Sequence, residues 1–387
     1  MKKNEGVESM ADSISVYRID DPRSKEADEF VRLPFDIYRD NPHWVPHFRR
    51  EIRNILRRNH AFFEHSDGEF FLVRRGNEPV GRIVLLENKN YNRYREKQDA
   101  RFYLFECRED EEAAAALFNA LAESAAKRGL NRLIGPQGFS AMTGGGILID
   151  GFEYTSAMTM MNYHLPYYRR LVEAQGFEKF KDFYSGWITP ETYKGDGKIG
   201  RVAEIARKRG GFEVLNLKTK RDLVALAREI GETYNEAWTD HEEYCPLTDR
   251  EIDSLADDLV LVTNPELIKV IRREGRLAGF LLTFPDLSPQ LRASRGRITP
   301  LTLLRIWWAK KRTRYFIVNG LGMLPEYRNM GGTAILYAEG VSTLLAQNAA
   351  GADMTQIAET TDLMMKDMAT LGGDPYKTHR VYQKRID

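Results

Sequence analysis

The stretch Val318-Asn-Gly-Leu-Gly-Met-Leu-Pro-Glu-Tyr-Arg-Asn-Met-Gly-Gly-Thr-Ala-Ile-Leu-Tyr-Ala-Glu339 holds the residue types best suited to binding an anion. It begins as a strand, breaks at Pro325, turns through Arg328 to Gly332 and continues as an apolar-periodic helix. Backbone N–H groups in such a turn, at a helix N-terminus, form a phosphate cradle. Gly331 and Gly332 are expected to let a phosphate approach that backbone with no side chain in the way. A second charged group, Asp240-His-Glu-Glu243, either selects a cationic amine or is a solvated loop. His43 and His47 are four apart, but Pro42 and Pro46 argue against a shared helical face. His60 and His65 sit among aromatics without carboxylate partners, so no metal site is expected. The Gly-rich loop from Gln137 to Gly146 fits neither a P-loop nor Gly-x-Gly-x-x-Gly, and reads as a wide loop lining a ligand site.

The chain that must position these groups has 387 residues, enough for two domains. Its apolar share of 42% and charged share of 29% are those of a globular protein. A net charge of +1 gives no nucleic-acid footprint. Cys107 and Cys245 form no close pair, which argues against a disulfide framework or structural zinc. Residues 1–12 read as a flexible polar tail without the apolar run of a secretory signal. No stretch approaches the roughly 20 apolar residues of a membrane span, and the cytoplasm is the expected address.

Periodicity predicts strands at 13–18, 69–75, 80–87, 101–107, 130–135 and 177–188, with helices at 24–38, 48–59, 110–128 and 166–175. The second half runs in the same order. Helices are predicted at 200–209, 220–238, 331–347 and 361–371, with strands at 212–217, 267–273, 277–284, 315–324, 354–359 and 376–386. Arg101-Phe-Tyr-Leu-Phe-Glu106 followed by a helix corresponds to Arg314-Tyr-Phe-Ile-Val-Asn319 followed by a helix. Tyr168 to Phe177 likewise corresponds to Met364 to Gly373. An internal duplication is the expectation, with two unrelated α/β domains as its alternative.

Taken with its strand and helix, Pro-Glu-Tyr-Arg328-Asn-Met-Gly331-Gly-Thr-Ala resembles the acyl-CoA-binding motif of GNAT-superfamily N-acyltransferases. Leu-Gly-Gly373 after a helix and before a strand is similar to the end of the same fold. The segments 38–46, Phe62-Phe-Glu-His65 and Tyr234-Asn-Glu-Ala-Trp238 resemble a bacterial tandem-GNAT group and, more loosely, bacterial ceramide synthases. The resemblance implies an α/β fold of mixed sheets, with two GNAT-like domains in tandem. Residues 13–190 would be a degenerate copy forming an acceptor-side wall. Residues 191–387 would be the acyl-CoA-binding copy, with a helical insertion at 285–314.

That resemblance also implies roles. Backbone N–H groups of Arg328, Asn329, Met330, Gly331, Gly332 and Thr333 would hold the CoA pyrophosphate, and main-chain groups of Leu321 and Met323 the pantetheine and thioester. The co-substrate would be acetyl-CoA or a longer acyl-CoA, without a metal, and the amine would attack the thioester directly. Glu359 is the best-placed carboxylate for a base, its alternative being an acid beside the next helix start. Tyr376 and His379 are candidate donors to the thiolate, or structural residues. Met368 stands where many relatives of the resembled family carry a tyrosine acid, and Thr333 where the motif usually ends in Gly or Ala. The acceptor would be a lipid amine of sphingoid-base type or a small polar amine. A non-catalytic CoA-binding or scaffold protein is the alternative. In the first half, Cys107-Arg-Glu-Asp-Glu-Glu112 stands at the corresponding helix start, where its acids would repel a pyrophosphate. The helix over 299–313, with Leu301, Leu304 and Trp308 on one face and Arg305 and Arg312 opposite, suits a bilayer interface at the inner face of the membrane. Its alternatives are a cover for the protein's own core and a dimer contact.

Overall fold

The computed structural model describes residues 13–139, 143–195 and 197–386. The tail 1–12 and residues 140–142 of the Gly-rich loop lie outside the described residues. The strands are β1 (Ile14–Arg18), β2 (Asp67–Arg75), β3 (Glu78–Glu87), β4 (Asp99–Cys107), β5 (Arg132–Gly135), β6 (Ile147–Asp150), β7 (Glu178–Ile188), β8 (Glu213–Leu215), β9 (Lys269–Arg273), β10 (Arg276–Pro285), β11 (Tyr315–Met323), β12 (Gly351–Ala358) and β13 (Asp374–Arg385). The helices are α1 (Lys25–Ile37), α2 (Arg49–Leu56), α3 (Lys89–Arg95), α4 (Glu111–Lys127), α5 (Tyr168–Glu173), α6 (Lys198–Arg209), α7 (Lys220–Ala237), α8 (Asp249–Val262), α9 (Ser288–Ser294), α10 (Pro300–Ala309), α11 (Gly332–Ala346) and α12 (Asp362–Leu371).

The chain forms two compact units. Unit 1 holds the described residues through Phe183, with Leu291–Thr302 and the stretch from Lys377 onward. Unit 2 holds Tyr184–Gln290 and Leu303–Tyr376. Neither unit is one contiguous half. The first break falls near the expected position 190, but the final strand differs from the expectation: from Lys377 on it serves unit 1. There it pairs antiparallel with β5 (Tyr382 opposite Gly135) and with β6 (His379 opposite Leu148). The middle of the expected 285–314 insertion also belongs to unit 1, where the Gly296 carbonyl accepts the Arg49 N–H at the start of α2 (2.8 Å).

In unit 1 the strand order is β1-β2-β3-β4-β5-β13. Alternate residues serve opposite faces. Phe71, Val73, Ile83 and Leu85 pack with Leu117 and Leu121 of α4, whereas Phe70, Leu72, Val84 and Leu86 pack with Phe30 and Val31 of α1 and Ile52 and Ile55 of α2. Both faces are covered, which is why these strands read as nearly unbroken apolar runs. In unit 2 the order is β12-β11-β10-β9-β8. Its core joins Ile271, Leu281 and Met323 of the sheet to Ile335 and Leu336 of α11 and Ala203 and Ala206 of α6. The helix α8 did not appear in the periodicity reading, although Thr248 and Glu251 form a capping box at its start.

The two units share an unusual local geometry. In each, two parallel strands pair briefly and then part: β4 with β5 over Asp99–Arg101, and β11 with β12 over Tyr315–Val318. Each longer strand then bulges. One residue of β3 (Ile83, between Arg82 and Val84) stands opposite two of β4 (Leu104 and Phe105), and one of β10 (Leu282, between Leu281 and Thr283) opposite two of β11 (Asn319 and Gly320). A bulge frees main-chain groups from the ladder and re-aims side chains. Gly320 inside the β11 bulge has φ +121°, and Leu104 inside the β4 bulge has φ +48°. The duplicated bulge and fork give the sequence repeat a structural counterpart.

Ending the chain after Tyr376 therefore removes a strand from unit 1 and leaves the β8–β12 ladder of unit 2 complete. Hydrogen-exchange mass spectrometry should then show amide exchange at 132–135 and 147–150 at least tenfold faster, with the α11 amides unchanged.

Candidate active site at the strand fork of unit 2

The turn between β11 and α11 has the form the sequence predicts. Residues Pro325–Tyr327 make one 3₁₀ turn, Asn329 has φ +62°, and Gly331, with φ +84°, starts α11. No side chain caps the helix. Among the described residues, the N–H groups of Asn329, Met330 and Gly331 have no acceptor, and the first-turn N–H groups of Gly332, Thr333 and Ala334 have none either; the Ile335 N–H is the first to bond, to the Gly331 carbonyl (3.2 Å). Successive donors in such a turn, at the positive end of a helix, concentrate positive potential on one point.

Two glycine roles differ from the expectation. A Cβ at Gly331 would lie 2.7 Å from the Ala206 Cβ of α6, and one at Gly332 would lie 2.9 Å from the Met323 Cε. Both glycines thus face protein where a side chain would begin. They serve helix packing and, at Gly331, the left-handed backbone. Arg328 also turns inward: its guanidinium bonds Asp240 and donates to the Ala237 carbonyl at 2.7 Å. That engages Asp240 of the acidic loop and fixes the turn to the end of α7; the Arg328 N–H, expected among the phosphate donors, is instead taken by the Pro325 carbonyl (3.3 Å), so Arg328 serves as an anchor.

Leu321 and Met323 lie on β11 beyond the bulge, where the strand has left β12. Glu359 follows β12 directly, at the same open end of the fork, and is partly buried. The other two catalytic candidates are elsewhere. Tyr376 donates from its hydroxyl to Asp353 Oδ2 at 2.5 Å, beside the paired end of β12. His379 lies in unit 1, fully buried, with Nε2 donating to the Asn162 carbonyl at 2.9 Å. Burial lowers its pKa to about 3. A neutral imidazole enclosed in unit 1, its proton held by a carbonyl, is unsuited to proton transfer at the fork of unit 2. Met368 is buried against Gly186 in the core of unit 2.

The sequence reading missed Tyr337 of α11 and Asp367 of α12. Burial pushes the Tyr337 phenol well above its usual range, with the charge of Asp367 second, and burial likewise raises the Asp367 carboxyl. The Tyr337 phenol therefore keeps its proton at neutral pH. Their pairing depends on α11 and α12 facing each other, and no local motif announces that. Tyr337 also borders a cavity of about 650 Å³. Leu281, Val318, Leu344, Met354 and Leu371 line it with carbon, and Val318 is the last paired residue before the fork.

Unit 1 lacks the anion turn. At the start of α4, Asp110 itself occupies the anion position: its carboxylate accepts the Ala113 N–H at 3.0 Å and pairs with Arg75 at 2.9 Å. Those bonds hold the Asp110 carboxyl below the usual range, first through Arg75. A negative side chain stands where α11 has bare N–H groups.

No family model matches the chain. Among solved structures, a tandem GNAT protein from the clavulanic acid biosynthesis pathway superposes with a TM-score of 0.56 at 13% identity, covering 97% of this chain and 99% of that one. A GCN5-related N-acetyltransferase from Sphaerobacter thermophilus follows at 0.50 and 13%, covering 96% of each. The fold is a tandem GNAT fold. Two full-length relatives carry names: protein YghO of Escherichia coli K12 is 24% identical over 364 residues, covering 92% of each chain, and the bacterial ceramide synthase of Caulobacter vibrioides is 25% identical over 387, covering 93% of this chain and 95% of its own. Within the tandem GNAT fold, the fork, bulge and uncapped turn of unit 2 form one continuous feature, and its counterpart in unit 1 keeps the fork and bulge without the turn.

The buried histidines of unit 1 set a pH dependence. His379 and His164 both have pKa values lowered to about 3 by burial, so the folded state stays neutral where the unfolded chain takes up protons below about 6.5. Stability is then full above about pH 6.5 and falls as pH drops toward 3. Glu106, raised by burial, acts in the opposite direction. His379→Gln, which keeps a donor for the Asn162 carbonyl, should narrow the loss in urea-melt stability between pH 7 and pH 5 by about 1–2 kcal/mol.

Proposed function

We propose that the protein is an acyl-CoA-dependent N-acyltransferase whose donor site is the fork and turn of unit 2. The observation that carries this reading is the run of acceptor-free N–H groups from Asn329 to Ala334, directly after a bulged strand that has parted from its neighbour. The pyrophosphate lies on those N–H groups, and the pantetheine runs along the exposed edge of β11 past Met323 and Leu321. The amine nitrogen attacks the thioester carbon, and a main-chain N–H freed by the bulge receives the developing oxyanion. The C–S bond breaks, the thiolate leaves, and the amine proton passes to Glu359 directly or through water.

The apolar cavity reaching the fork at Val318 favours an acyl chain longer than acetyl. A lipid amine is the acceptor this reading prefers, supported by the similarity to a ceramide synthase and by α10. Leu301, Leu303, Leu304, Trp307 and Trp308 are each more than half exposed, so α10 does not cover the protein's own core. Lys311 and Arg312 lie over the two indoles at 4.1 and 4.3 Å. Exposed indoles and aliphatics next to cations match an anionic bilayer interface. No helix among the described residues is long and apolar enough to cross a membrane. A small polar amine remains the second acceptor class, and a CoA-binding scaffold without turnover is the alternative from another class.

Thr333→Glu separates the donor site from helix stability. An acid in the first turn of α11 suits the helix dipole, stabilising it by about 0.3–1 kcal/mol, yet repels a pyrophosphate. Its acyl-CoA Kd by calorimetry should rise at least tenfold without loss of melting temperature. Equal affinity in the variant overturns the donor site, and no acyl-CoA consumption across a panel of lipid and polar amines favours the scaffold. Trp307→Ala with Trp308→Ala should cut co-sedimentation with vesicles containing phosphatidylglycerol at least fivefold; unchanged sedimentation removes the membrane contact.

A further inference from the structure

The fork of unit 1 ends in a cavity of its own. It spans about 420 Å³, part of it open to solvent, and Trp44, Phe105, Glu106, Asn162, Tyr163 and His164 contribute to its wall. Glu106 follows the β4 bulge directly, opposite Arg82 of β3, so the strand distortion seen in both units here stands next to a carboxyl that lines the cavity. Two phenols hold that carboxyl by one oxygen. Tyr38 donates to Oε2 at 2.6 Å and Tyr168 donates to the same atom at 2.9 Å. Among the described residues, no hydrogen bond takes Oε1, and no cationic side chain lies within ion-pair distance of Glu106. The nearby Arg82 is 3% exposed and gives Nη1 to the Phe30 carbonyl at 2.7 Å, so it balances charge from a distance.

A deeply set carboxyl without a contacting cation is costly unless something completes it. We propose that this cavity is a binding site for a primary ammonium group, with Glu106 as its counter-ion. An ammonium supplies a cation in direct contact and three donors. Oε1 takes one, and Asn162, whose side-chain N–H donates to the Gly146 carbonyl at 3.1 Å, retains Oδ1 as a second acceptor. Trp44, Phe105 and Tyr163 contribute apolar wall for the carbon next to the ammonium. His164 does not oppose the charge: its Nδ1 accepts the Leu148 N–H at 3.3 Å, and burial holds the ring neutral. Burial pushes the Glu106 carboxyl above the usual range, and an ammonium in contact with it acts in the opposite direction. A phosphate or carboxylate ligand finds the opposite here. The duplicated forks have thus taken opposite charge preferences.

This site stands apart from the acyl-CoA reading, since no residue of the anion turn enters it. The full-length protein is titrated at pH 7.5 with n-butylammonium, 1-butanol and butyrate, followed by saturation-transfer NMR and melting temperature. Butylammonium should bind at least tenfold more tightly than butanol, with no detectable butyrate binding. Glu106→Gln, which keeps an oxygen for both phenols, should remove the preference of ammonium over butanol. Should that variant melt early, Thr159→Trp at the cavity wall leaves the carboxyl in place and should weaken both ligands alike. Equal binding of butylammonium and butanol to the unaltered protein overturns the proposal, as does undetectable butylammonium binding or an undiminished preference in a folded Glu106→Gln protein. Acyl-CoA titration of the same samples reads the donor site separately.

Discussion

Two parallel strands that pair for only a few residues set the terms for the rest of this molecule. Parallel ladders are normally buried and continuous. Here β11 leaves β12 after Val318 and carries its main chain onward without that partner. The bulge opposite Leu281 and Thr283 adds to the exposed backbone on the other side. Unpaired backbone groups inside a fold demand partners. The turn that follows extends the same deficit to the N–H groups through Ala334.

Both units have the fork, and what separates them is the sign of charge next to it. Unit 2 leaves its helix start bare and turns Arg328 inward to Asp240 and Ala237. Unit 1 fills the same place with Asp110, paired to Arg75, and sets Glu106 at the bulge. A few side chains suffice because the backbone supplies the shape of either site. The core of each unit needs the strands and helices but is indifferent to which ligand the fork meets.

This division explains what the sequence disclosed. The apolar runs 70–73 and 83–86 reveal strands because both faces of the sheet of unit 1 are covered. The turn at 325–333 is legible because Pro, Tyr-Arg and Gly-Gly are local instructions for backbone shape. The helix α8 is heralded by Thr248 and Glu251, a local cap that periodicity alone overlooks. Tertiary facts were not accessible in this way. Nothing near Tyr376 and His379 says that the chain changes unit between them, at Lys377. Nothing near Tyr337 says that Asp367 faces it. Glu106 read as one residue of an alternating strand, and its two phenol partners come from 68 and 62 residues away.

The glycines of the turn have a second role that their sequence context does not show. Gly331 and Gly332 read as room for phosphate, yet their open sides meet Ala206 and Met323. A larger residue at Gly331 would press on Ala206 of α6 and strain the left-handed backbone, and one at Gly332 would displace the Met323 methyl. The anion preference follows from backbone orientation, and the glycines are what let α11 start close enough to the sheet for that orientation to hold. Arg328 acts in the same way, through its anchor on the end of α7. The turn is in this sense a packing result: the core fixes where six N–H groups point, and what it leaves unpaired sets the sign of charge the turn favours.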